Sequence, residues 1–168
     1  FHYAPAAGLG LRSRTGAIRS ADFNGDDLAD LVVTHPGHDH VTVLIREDPD
    51  RFDVPDAVHA PSPGDIATGD VNGDGHIDFV VRSLERPLVA LFYNGGPGWF
   101  TAAVPVVLPP TFDSDGPVAL VDLDRDGSLE LVVVSGEAIA FASRSDTKTF
   151  RDFRIAIDQA GGRILELA

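Results

Sequence analysis

Three nine-residue loops, 48 and 52 residues apart, constrain what this chain can fold into more than any other feature. They are Asp22-Phe23-Asn24-Gly25-Asp26-Asp27-Leu28-Ala29-Asp30, Asp70-Val71-Asn72-Gly73-Asp74-Gly75-His76-Ile77-Asp78 and Asp122-Leu123-Asp124-Arg125-Asp126-Gly127-Ser128-Leu129-Glu130. Each places oxygen-bearing side chains at its first, third, fifth and ninth positions. A short loop with that spacing can wrap its side chains around one hard cation. Calcium fits best, because it accepts six to eight oxygen ligands in flexible geometry. One such loop reads equally well as an acidic turn, since Asp, Asn and Gly are the favoured turn residues. Three in register are an architecture.

The rest of the sequence repeats with the loops. A glycine stands six residues before each one, at Gly16, Gly64 and Gly116, followed by the β-branched Ile18, Ile66 and Val118. After the loops come the runs Leu31-Val32-Val33, Phe79-Val80-Val81 and Leu131-Val132-Val133-Val134. A second apolar segment follows each run, and then a more polar one opened by Phe52, Phe100 or Phe150. Each unit therefore reads as four short strands punctuated by Gly, Pro, Asp and Ser. The stretch from Thr149 to Gln159 has the length of a helix, but the alternation of Phe153, Ile155 and Ile157 predicts a strand. The units span 16–58, 64–107 and 116–158, in a single repeat domain over 1–168. A leading outer strand is expected over 1–5 and a trailing inner strand over 162–168.

Four-stranded units of this length without helices predict an all-β fold of antiparallel β-propeller blades. A β-sandwich also has short strands and frequent turns, but it does not require sequence periodicity. Closed propellers have about 4–8 blades, so three blades and two strands form an incomplete ring per chain. The chain is then either a piece of a longer propeller or one of several copies that complete a ring. The open ends of such an arc predict self-association through exposed apolar faces.

The net charge of −13 argues against nucleic acid and anionic membrane surfaces as partners, since both favour basic patches. No apolar run approaches the roughly 18–20 residues of a membrane span. Without cysteine there are no disulfides and no thiolate metal sites. The chain opens on Phe1 with no charged-then-apolar leader, as a processed or excised segment would. An EF-hand is excluded, because loop position 12 is Val33, Val81 and Val133 rather than a bidentate glutamate, and the flanks are β-formers. Two other clusters stand out. His35-Pro36-Gly37-His38-Asp39-His40 offers imidazoles suited to a transition metal, or simply a polar turn. Trp99 beside Asn94-Gly95-Gly96-Pro97-Gly98 offers a sugar-stacking platform, or ordinary packing. No catalytic constellation rises above background.

At the three loops the sequence resembles the calcium-binding blades of integrin-alpha-type β-propellers, the FG-GAP or VCBS-like repeats, and the resemblance covers essentially all 168 residues. It implies one calcium ion per loop, up to three per chain. The implied ligands are Asp22, Asn24, Asp26 and Asp30 with the Leu28 carbonyl, and Asp70, Asn72, Asp74 and Asp78 with the His76 carbonyl. In the third loop they are Asp122, Asp124, Asp126 and Glu130 with the Ser128 carbonyl. Asp27 in place of glycine, the longer Glu130 and the nearby Arg125 depart from the family pattern, giving an expected affinity order of second, first, third loop. The resemblance also implies a non-enzymatic module for protein or ligand recognition or adhesion, extracellular or at the cell surface. The alternatives are a lectin-like carbohydrate-binding propeller and a scaffold segment of a larger secreted enzyme. Partner contacts are expected on the face opposite the loops, around Leu9 to Thr15, Pro61 to Pro63 and Leu108 to Asp115.

Overall fold

The computed structural model describes residues 16–53, 57–114, 116–136, 138–144, 149–157 and 165–166. The expected strand over 1–5 and the segment Leu9 to Thr15 lie outside them. All described secondary structure is β, in three antiparallel sheets. The first sheet runs β1 (Ile18–Ala21), β2 (Asp30–His35), β3 (His40–Asp48) and β4 (Arg51–Asp53), with β5 (Val58–His59) also paired to β3. The second runs β6 (Pro63–Gly69), β7 (Asp78–Ser83), β8 (Leu88–Phe92) and β9 (Val104–Val107). The third runs β10 (Val118–Val121), β11 (Glu130–Ser135), β12 (Ala138–Ala142), β13 (Arg154–Ile157) and β14 (Leu165–Glu166).

The innermost strands β1, β6 and β10 lie side by side. Asp65 on β6 ties them together: its Oδ1 accepts from the Arg19 guanidinium at 2.8 Å and its Oδ2 from the Val118 N–H at 3.0 Å. The three sheets therefore spread from a common inner edge as propeller-like blades. Alternation along the strands then builds a core on each side of the middle blade. Phe79, Val81, Ala90 and Phe92 pack against Val32, Val41 and Val43 of the first blade. Val80, Val89 and Leu91 face Leu131, Val133 and Ala140 of the third. Every residue of β7 is buried in consequence. The corresponding strand β2 carries a similar apolar run, but its burial alternates because only one of its faces is covered. Full burial of one such Val, Leu or Phe contributes about 1.5–3 kcal/mol, so these two interfaces hold the row together.

Polar groups lock the same interfaces. Arg82 on β7 is fully buried and donates to the Val134 carbonyl of the third unit and to the Asp113 carbonyl of the connection before it, both at 2.7 Å. Gly116 is held at φ 134, and a Cβ there would lie 2.2 Å from the Val134 carbonyl oxygen. At the equivalent Gly16 and Gly64 a Cβ would instead meet the Thr34 and Leu84 side chains, so the repeated glycine marks a crowded start to each inner strand.

Three details differ from the sequence expectation. Phe100 and Phe150 form only single bridges, with Asn94 and Arg144, and the outer strands β9 and β13 begin four residues later. The interblade connection expected to meet partners buries Leu108 and Phe112 in the core. The trailing segment, expected to open a further blade, contributes β14, which pairs with β13 at the third blade's outer edge. An outer strand presents unpaired backbone groups, and β14 satisfies part of that edge.

Candidate metal centre

The loops join the first two strands of each blade, β1 to β2, β6 to β7 and β10 to β11, so all three stand at the same end of the row. Their chain path is dictated by positions 4 and 6, which adopt left-handed backbone in every loop. Gly25 and Asp27 have φ 80 and 66, Gly73 and Gly75 have 76 and 89, and Arg125 and Gly127 have 65 and 89. Glycine adopts this conformation without penalty, and Asp tolerates it better than most residues.

The path turns the same N–H groups onto the same oxygens three times. The position 6 N–H donates to Oδ2 of Asp22, Asp70 and Asp122, at 2.8, 2.9 and 3.1 Å. The position 5 N–H donates to Oδ1 of Asn24, Asn72 and Asp124, at 3.1, 2.9 and 3.1 Å. The N–H groups of Leu28, His76 and Ser128 donate to Oδ1 of Asp26, Asp74 and Asp126, at 2.8, 2.9 and 2.7 Å. Loop positions 1, 3 and 5 are therefore gathered by backbone donors. Burial acts against the Asp22 carboxylate, but N–H groups from Asp27, Gly25 and Asp26 outweigh it and hold its pKa below the ordinary 3.8.

Position 9 behaves differently. Asp30, Asp78 and Glu130 are buried, and each accepts the position 2 N–H of its own loop. The donors are Phe23, Val71 and Leu123, at 2.7, 2.9 and 2.9 Å. Asp30 and Asp78 also accept, on Oδ1, a backbone N–H from the third strand or just beyond it, Arg46 within β3 at 2.7 Å and Asn94 past the end of β8 at 2.8 Å. Position 9 thus fastens the loop to the sheet. Burial, followed by the charges of Asp74 and Asp70, pushes the Asp78 pKa up to about 6 despite its two N–H donors.

The third loop fits a cation most directly. Carboxylate oxygens of Asp122, Asp124 and Glu130 lie within 4.8 Å of one another, and the longer glutamate still reaches the group. In the first two loops Oδ1 of position 1 accepts the glycine N–H of position 4, at 2.7 Å in both. Position 4 of the third loop is Arg125, and Oδ1 of Asp122 is buried with no hydrogen-bond donor. A buried anionic oxygen without a donor is costly unless a cation meets it.

Sequence reading missed one element of the site. Asn94 and Arg144, each six residues before Phe100 and Phe150, reach back into the preceding blade. Asn94 Nδ2 donates to the Phe23 carbonyl at 2.7 Å, and Arg144 Nη1 to the Val71 carbonyl at 2.9 Å. Each grips position 2 of the neighbouring loop, and the shared spacing from the phenylalanines is the signal that marks them.

The histidine cluster does not assemble as a metal site; among the described residues only the third loop gathers three histidine or acidic side chains. His35 is buried, with Nε2 3.0 Å from Thr42 Oγ1, and stacks on His40 with ring centroids 4.6 Å apart. Burial, then the neighbouring His40 and His38, lower its pKa from 6.5. Asp39 is turned away, accepting the Ser62 N–H at 2.7 Å. No described helix is long and apolar enough to cross a membrane.

The FG-GAP-like repeat family model matches residues 22–81 and 70–133. Each match runs from the start of one metal-type loop through the second strand of the next blade, and together they cover two thirds of the chain. No curated protein matches it.

Proposed function

Because the chain belongs to the FG-GAP-like repeat family, we propose that it is a non-enzymatic recognition module whose propeller-like blades are stapled by calcium. The observation that carries the calcium reading is the buried Asp122 Oδ1, which has no donor beside two converging carboxylates. The residues that would hold the ion are positions 1, 3, 5 and 9 of each loop, with the carbonyls of Leu28, His76 and Ser128. A bound calcium ion supplies charge neutralisation and oxygen coordination. The chain's own residues do the rest: backbone N–H groups orient the ligands, and position 9 ties the loop to its sheet. The third loop, with four carboxylates and the unsatisfied oxygen, is the one most dependent on the ion. Extracellular calcium modules work at about 0.1–1 mM, and an affinity in that range is what action outside the cytosol requires. The partner is a protein or a glycan, and the open faces of the first and third blades are covered by a second copy or by further blades of a longer propeller.

Thermal melting in chelator and across a calcium titration tests the metal reading. Stability should rise with calcium by mass action, about 2.7 kcal/mol at one hundred times the dissociation constant for one site. Asp122→Asn should remove part of the gain. Melts that coincide with and without calcium would sink the proposal.

A further inference from the structure

A cleft of about 520 Å³ opens between the outer half of the first blade and the β8–β9 hairpin of the second. Its volume falls in the ~300–1,000 Å³ range of small-molecule sites. Ile45, Val58 and Phe100 contribute apolar surface, while Asp53, His59 and Thr101 contribute polar groups. Trp99 also lines it and is 77% exposed, the most exposed large hydrophobic residue among the described ones. So large an apolar ring left in water beside a concave surface marks a contact site.

The hairpin that presents Trp99 is rigidly placed. The Gly95 N–H donates to the Trp99 carbonyl at 2.7 Å, and the Gly96 N–H to Asn94 Oδ1 at 3.0 Å. Gly98, at φ 78, seats the turn against Ile45, where a Cβ would come within 3.1 Å. Asn94 in turn is buried and bonded to Asp78 and to the first blade. The turn that carries the indole is therefore held by hydrogen bonds of its own, which lowers the ordering cost of binding.

We propose that this cleft binds a neutral pyranose ring stacked on Trp99, with its hydroxyls directed to His59 and Thr101. A pyranose has a flat C–H face suited to an indole and an equatorial rim of hydroxyls, matching a wall that is part apolar and part polar. The net charge of −13 disfavours phosphorylated, sulfated or sialylated ligands and leaves neutral sugars. The assignment rests on the recognition reading above and names its ligand class.

Trp99 is the single tryptophan of the chain, so intrinsic fluorescence reports this cleft directly. Neutral hexoses, 6-deoxyhexoses and N-acetylhexosamines should be titrated in calcium and again in chelator, as free sugars and as glycans on a carrier protein. The expected result is a saturable shift in emission for at least one sugar class, with half-saturation on the order of 1 mM. His59→Ala, which keeps the fluorophore, should weaken it several-fold. Trp99→Ala, followed by ligand-observed NMR, should weaken binding at least tenfold with an unchanged melt, since the side chain is mostly exposed. Binding of the glycan alone would identify the site as one for presented sugars and still uphold the pyranose. No saturable signal from any sugar, equal affinity in Trp99→Ala, or uptake of an apolar dye with no sugar binding would each overturn it. A calcium-dependent melt without sugar binding fails this proposal and leaves the calcium reading standing. Sugar binding with no calcium effect does the reverse.

Discussion

Arg125 sits at φ 65, where the other two loops carry Gly25 at φ 80 and Gly73 at φ 76. Left-handed backbone costs an L-residue roughly 1–2 kcal/mol, partly offset because glycine loses about 0.4–1 kcal/mol more chain entropy on folding. Arg125→Gly is therefore expected to stabilise the chain by about 0.5–1 kcal/mol in urea unfolding, and Asp27→Gly by less. A destabilised Arg125→Gly would show that the arginine holds contacts worth more than its strain. Asp78 gives a pH signature in chelator. Its folded pKa, about 6, lies above the ordinary 3.8, so the fold favours its protonated form. That contribution is full below about pH 3.8 and is lost as the pH rises through about 6. Metal-free melts should fall across this window, and Asp78→Asn should flatten that part of the curve; parallel curves would contradict the assignment. The loop's backbone path was legible in the sequence, because Asp, Asn and Gly at fixed spacing set its turns. What stayed hidden was the buried, backbone-fastening role of position 9, since an aspartate ligand and an aspartate staple are spelled alike.

At the scale of strands and hairpins, the four-stranded unit could be read from its punctuation: the leading glycine, the loop, and two apolar runs. Its outer edge could not. Phe52, Phe100 and Phe150 suggested the start of a strand, yet Phe100 and Phe150 anchor single bridges, and Phe52 alone lies within a strand, pairing with Arg46. Outer strands answer to few partners, so their sequence is permissive; Pro105 in β9 and the 74% exposed Val107 are tolerated there. The cross-blade donors were equally obscure, because Asn94 and Arg144 share a function but no residue type. Asn94→Ala should cost about 2 kcal/mol, the range for leaving a buried carbonyl such as that of Phe23 unpaired. Arg46→Ala makes the control. Its guanidinium bonds the exposed Asp48 and Pro49 carbonyls, at 3.2 and 2.9 Å, and lies 6.0 Å from the centroid of the Phe52 ring, so its loss should stay within about 1 kcal/mol. Equal effects of the two changes in denaturant titrations would refute the distinction.

Across the whole molecule, the two interblade cores bury one face of each terminal sheet and both faces of the middle one. Their counterparts on the outer sheets, Leu31, Val33 and Leu44 on the first and Val132, Val134 and Phe141 on the third, remain partly exposed. Light scattering should therefore return a mass above the 17.8 kDa of one chain; a stable monomer at high concentration would contradict this. The peptide at loop position 2 has a further consequence. Its N–H is held by position 9 of its own blade and its carbonyl by the next blade's Asn94 or Arg144. The row thus has a polarity, like a line of tiles each overlapping the one before it. A disturbance in one loop passes first to the C-terminal neighbour that grips it. Amide exchange at Val71 should then respond to the loss of Arg144 in the third blade before it responds to any change in the first.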